Sequence, residues 1–144
     1  MELYRGHSNA QLAAIRACAT LFGGIVLYTF EFSAFVFRAL PAAEAGAMLR
    51  AAFPYYYAFV IGGGAVAALI ALATTALNAA LLAAVAVSAV YARQVLMPQI
   101  NAARDAQMAG EAAAARRFNL LHGWSVVLNL LQLGAIGYVL VSFT

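Results

Sequence analysis

Hydrophobic positions in this chain come in long unbroken blocks, without the two-residue alternation of a half-buried strand. Four runs, roughly 17–37, 54–74, 77–97 and 119–142, are dominated by Ala, Val, Leu, Ile, Phe and Gly. A hydrocarbon core about 30 Å thick is crossed by roughly 20 helical residues, so each run predicts one transmembrane helix. Only "TTALNA" separates the second from the third. There Thr74, Thr75 and Asn78 predict a tight turn and an N-cap, hence an antiparallel hairpin. Pro54 is expected to open the second span, where its missing N–H costs nothing. The adjoining Tyr55, Tyr56 and Tyr57 are expected to form an interfacial belt with their rings at the headgroup level.

Between the third and fourth runs lies "PQINAARDAQMAGEAAAARR", rich in Ala and charge but with nothing apolar enough to cross a bilayer. This stretch predicts a helical hairpin projecting from the membrane across residues 98–118. Pro98 should kink the exit of the third helix, and Gly110 should supply the turn. The expected fold is therefore all-α: a polytopic membrane protein whose four transmembrane helices form a single domain over residues 1–144.

Composition agrees. Of 144 residues, 66% are hydrophobic and 9% charged, where a soluble domain carries roughly a quarter charged. Arg5 and Arg16 precede the first run much as in a signal peptide, but the run is too long and lacks a small-x-small cleavage site, so it reads as an uncleaved span. The net charge of +3 comes from Arg without any Lys, placed near segment ends. That is a topology signal, and it argues against a nucleic-acid partner. Arg38, Arg50, Arg93, Arg104, Arg116 and Arg117 fall on one side, against Arg5 and Arg16 on the other. The positive-inside rule then makes the hairpin cytoplasmic and both termini periplasmic. The host membrane is read as a bacterial inner membrane, because a Lys-free, Ala-rich composition suits a GC-rich genome. The one cysteine, Cys18, rules out an intramolecular disulfide and is expected to be a packing residue.

Small residues recur at every fourth position: Gly63, Ala67 and Ala71 in the second span, then Ala80, Ala84, Ser88 and Ala92 in the third. Such rows let helix backbones approach closely in lipid, and they are the expected packing interface, within the chain or between subunits. In the fourth span His122, Ser125, Asn129 and Gln132 form one polar stripe. It should face the bundle, since hydrocarbon offers a polar group no partner. Each interhelical bond of this kind contributes only about 0.6 kcal/mol, and four polar residues exceed what modest glue calls for.

Glu31 adds to that excess. A carboxylate inside a span costs about 3 kcal/mol unless neutralised or paired. Helical rise puts Glu31 at a depth similar to Ser88, Tyr91, Ser125 and Asn129. These residues, with His122 and Gln132, make a candidate intramembrane polar pocket; the simpler alternative pairs Glu31 with Arg38. His122 is expected either to cap the hairpin or to bond Glu31. No metal or other cofactor is expected, because the topology sets His7 and His122 on opposite sides of the membrane. No phosphate loop or nucleophile motif is present, so the chain is not expected to be an enzyme.

One part of the chain carries a resemblance. Pro98, Asn101, Arg104 and Asp105, then Arg116, Arg117 and Phe118, the pair Leu121–His122, Ser125, and the run Asn129–Leu130–Leu131 resemble the transmembrane protein 205-like family. The "LP…AG…FPYYY" pattern at Leu40–Tyr57 looks like that family's segment before its second span, while the first span matches weakly. The resemblance implies a small four-helix integral membrane protein with its distinctive region in the hairpin and fourth span, and implies no activity. Arg104, Asp105, Arg116 and Arg117 are a candidate cytoplasmic charge cluster, forming ion pairs or meeting anionic lipid heads.

Two roles follow. The favoured one is an accessory or assembly subunit of a larger membrane complex, its partners being the bilayer and a membrane protein or a second copy. The alternative is a small-molecule or ion transporter that uses Glu31 and the 122–132 stripe.

Overall fold

The computed structural model describes residues 2–143, with side chains from Asn9 onward. The expectations for Arg5 and His7 therefore lie outside the described side chains. Among the described residues four helices are long and apolar enough to cross a membrane, at 31, 30, 33 and 28 residues. At about 1.5 Å per residue each exceeds a 30 Å core by roughly two to four turns. The chain is an all-α membrane protein.

The first rod is α1 (Glu2–Val26), a wide turn at Leu27–Phe32, and α2 (Ser33–Ala39). In that turn the Ser33 N–H reaches back five residues to the Tyr28 carbonyl, and the Ser33 hydroxyl donates to the same oxygen at 3.0 Å. The second rod is α3 (Ala42–Ala71). The third is α4 (Ala76–Tyr91), a second wide turn at Ala92–Leu96, and α5 (Met97–Met108). The fourth is α6 (Ala114–Val141). Each rod packs on its sequence neighbour, and the fourth closes on the first, giving a ring.

Two expectations about prolines change. Pro54 does not open the second helix; it lies inside α3, which begins at Ala42. The twelve residues ahead of Pro54 are mostly strong helix formers, and Glu44 in the first turn complements the positive end of the helix. At Pro98 the helix widens in the turn just before it, with the Met97 N–H bonded to the Ala92 carbonyl, and continues as α5. The wide turn accommodates the missing N–H in place of a simple kink.

The connections follow their residues. Thr75 caps α4 by accepting from the Asn78 N–H at 3.2 Å, and Thr74 donates to the Ala71 carbonyl at 2.7 Å. At this end the Asn78 amide also donates to the Ser142 hydroxyl at 3.0 Å, tying the third rod to the fourth. Gly110 turns the hairpin at φ +89°, a conformation that favours glycine. The projecting hairpin is α5 and the first turns of α6, so its limbs are continuations of the third and fourth rods.

The core runs through Leu21, Ile25, Val60, Leu82 and Ile136. Ala67 and Ala71 are fully buried, and Gly63 faces Leu21. Ala80 and Ala84, in contrast, point outward, and Ser88 is half-buried. A row stepping by four residues drifts about 40° per step around a 3.6-residue helix, so it begins toward the surroundings at Ala80 and reaches the core only at Ala92. The buried face of α4 is instead Asn78, Ala79, Leu82, Val85, Ala86 and Ala89. It comes close to α3 at Gly64, where a Cβ would stand 3.2 Å from the Ala86 backbone nitrogen.

Candidate functional site

The expected polar pocket divides into separate parts. Gln132 is 4% exposed, and its amide donates to the Ser88 hydroxyl at 2.9 Å. Ser88 in turn donates to the Val85 carbonyl at 2.9 Å. Asn129, one turn nearer the Arg-rich end, donates to the Tyr56 hydroxyl and accepts from the Thr29 hydroxyl at 3.4 Å. These two sets join the third rod to the fourth, and the first and second to the fourth.

Around Asn129 lies an aromatic cluster that the sequence placed elsewhere. Tyr56 and Tyr57 are buried, and only Tyr55 among the three tyrosines turns outward as a belt residue would. Tyr28 stacks on Tyr56 at 4.4 Å between centroids, and Phe53 stacks on Tyr57 at 6.0 Å. The Tyr28 hydroxyl is buried without a hydrogen-bond partner. Inside α3 rather than at its start, these tyrosines sit on the face that packs on α1, so their rings are drawn into the bundle.

Four expected pocket residues are not part of this interior. Ser125 donates to the His122 carbonyl of its own helix at 2.7 Å. His122 is exposed and stacks flat on Phe118 at 5.7 Å, so it neither caps the hairpin nor meets Glu31. Tyr91 is exposed on α4. Glu31 opens outward into a groove between the first and second rods, and among the described residues it has no hydrogen bond or ion pair, with Arg38 or any other group. Along the wide turn at Leu27–Phe32 the partly buried Tyr28 and Thr29 meet Tyr56 and Asn129, while Glu31 faces outward.

The charge cluster also differs in its partners. Asp105 pairs with Arg50 at 2.8 Å, and Arg50 donates to the Asn101 carbonyl at 2.9 Å. Arg104 lies over the Phe118 ring at 5.6 Å and crosses α3 at Gly46, where a Cβ would come within 2.8 Å of its guanidinium. Arg116 and Arg117 are exposed. Arg50 and Gly46 enter the cluster because α3 starts at Ala42; the Ala-rich run 42–52 was the available signal. Both partners of the ion pair face solvent, so screening leaves it to position α5 on α3 more than to stabilise the bundle.

Among the described residues no group of three His, Cys, Asp or Glu side chains could hold a metal. Apart from the Tyr28 hydroxyl, the interior polar groups Asn129, Tyr56, Gln132 and Ser88 are hydrogen-bonded across helices, which suits them to fixing helix register. No match to the chain was found among curated proteins or among solved structures. Residues 17–109, more than half of the chain, match a family described as a domain of unknown function, DUF4149, and the chain belongs to that family.

Proposed function

We propose that the chain is a non-enzymatic accessory subunit that assembles laterally on a larger membrane protein. The observation that carries this reading is the closed interior. Asn129, Tyr56, Gln132 and Ser88, the groups best placed to line a path, are hydrogen-bonded across helices, and aromatic rings fill the space beside them. Transport along the 122–132 stripe finds no support in this arrangement, since His122 and Glu31 are exposed and the Ser125 hydroxyl bonds the His122 carbonyl of its own helix. Function then rests on the outer faces. On α4 the exposed Ala80, Ala84 and Val87 form a smooth surface. The occupant we infer is an apolar transmembrane helix of the partner, because small side chains permit the close backbone approach that drives association in lipid.

Gentle extraction from the host membrane followed by native mass spectrometry should yield the chain with partner subunits at fixed stoichiometry. Ala84→Trp should lower that co-extraction at least tenfold while circular dichroism still reports a helical protein. Extraction of the chain alone, or full co-extraction of Ala84→Trp, would count against the reading.

We further infer a bacterial inner membrane as the location, with both termini periplasmic and the 98–118 hairpin cytoplasmic. Support comes from the six Arg residues of the α5–α6 end. Ala73→Cys should react with an impermeant maleimide in intact spheroplasts, and Ala109→Cys only after permeabilisation; the opposite pattern inverts the topology. Kinship with the transmembrane protein 205-like proteins is likewise our reading. Much of what carries it, residues 116–131, lies beyond the matched 17–109.

A further inference from the structure

The outward groove between the first and second rods has a volume of about 560 Å³, within the range of roughly 300–1,000 Å³ that holds small molecules. Its walls are apolar and aromatic. Tyr28, Phe32, Phe35 and Phe59 line it, with Glu31 as its one carboxyl group. Gly24 leaves room for the Phe59 ring to lie against α1, since a Cβ there would come within 2.5 Å of that ring. Two polar groups of the lining residues have no partner among the described residues: the Glu31 carboxyl and the buried Tyr28 hydroxyl.

A carboxylate facing hydrocarbon is costly unless it takes up a proton or a positive charge meets it, and a bound cation favours the second. The rings beside it present electron-rich faces, which attract the same charge. Together they select a molecule with one positive charge and a bulky apolar body. Depth narrows the source. Glu31 lies four residues past the middle of the apolar run 17–37, about 6 Å along the helix, whereas phospholipid headgroups begin about 15 Å from the middle of the hydrocarbon. A lipid ammonium would have to sink well into the hydrocarbon to reach Glu31, and a freely dissolved lipophilic cation would not. A basic side chain from a neighbouring helix would meet the charge but leave much of the aromatic wall uncovered. We propose that this groove is a binding site for a lipophilic organic cation, held by Glu31 and the rings of Tyr28, Phe32, Phe35 and Phe59. The site is separate from the α4 face assigned to subunit assembly and stands without it.

Equilibrium binding of radiolabelled tetraphenylphosphonium to the full chain in dodecyl maltoside micelles, which carry no ammonium group, tests this. Saturable binding of one cation per chain is expected, weakened at least tenfold in Glu31→Gln and several-fold in Phe35→Ala, with partial recovery in Glu31→Asp. Triphenylphosphine oxide, of similar shape but neutral, should not compete; this arm uses the unaltered protein and is independent of how any variant folds. Absence of saturable binding, competition by triphenylphosphine oxide, or unchanged affinity in a folded Glu31→Gln would overturn the proposal. So would loss of the site when phosphatidylethanolamine is added, which would assign the groove to a lipid ammonium, or co-purification of a chain whose basic residue cross-links to Glu31.

Discussion

Gly64→Leu is expected to destabilise the bundle by about 3 kcal/mol, the upper end of the usual cost of overpacking a filled core. A Cβ at Gly64 would already stand 3.2 Å from both the backbone nitrogen and the Cβ of Ala86, and a helix backbone cannot swing aside as a flexible side chain does. The rest of a leucine would wedge α3 away from α4. Ala67 and Ala71, both fully buried further along α3, would then lose the contacts that hold the helices together in lipid. Gly62→Leu is the matched control, because nothing lies within 4 Å of a Cβ at that position. It should be neutral or slightly stabilising through its better helix propensity. Unfolding by SDS in mixed micelles reads both, and equal midpoints for the two variants would show that the α3–α4 approach is not as close as described.

Ser88→Ala is expected to cost about 2 kcal/mol, and Gln132→Leu at its partner position only about 0.6 kcal/mol. The asymmetry follows from what each change leaves behind. Without the Ser88 hydroxyl, the buried Gln132 amide has lost its acceptor. Without the Gln132 amide, the Ser88 hydroxyl keeps its bond to the Val85 carbonyl, and an apolar side chain fills the space. The double variant should therefore recover most of the stability lost in Ser88→Ala, a coupling that a double-mutant cycle measures. Equal costs for the two single variants would mean that Gln132 finds another partner.

The spans were legible because lipid imposes a single requirement, a run of apolar residues long enough to cross, and Thr75 and Gly110 mark the turns by chemistry that acts locally. What hydropathy reports is immersion in lipid, however, and not helicity. The Ala-rich stretch 42–52 is helix without being a lipid run, so the start of α3 was missed. With it went the inward turn of Tyr56 and Tyr57 and the pairing of Arg50 with Asp105. The row on α4 and part of the α6 stripe depart from the expected faces for a different reason. Ala80 and Ala84 look out because four-residue spacing drifts around the helix, and His122 lies near the Arg-rich end on the edge of the α6 face whose centre holds Gln132. Only one stripe residue, Gln132, is fully buried, and the partners of Asn129 came from tyrosine and threonine residues that hydropathy had assigned to other tasks.

The wide turn at Leu27–Phe32 is, in evolutionary terms, one residue of slack inside a rod of otherwise fixed length. Loss of a single codon there would tighten the turn to an ordinary helix and rotate everything beyond it, Ser33 to Ala39, relative to α1, while leaving a span still long enough for the bilayer. An insertion would do the reverse. A lineage with such a turn can move an acidic side chain between the bundle interior and the lipid by one length change, with no substitution in the packed half of the helix. Comparison of homologues should accordingly find length variation at this turn more often than at Cys18–Ile25, where every turn is committed to the core.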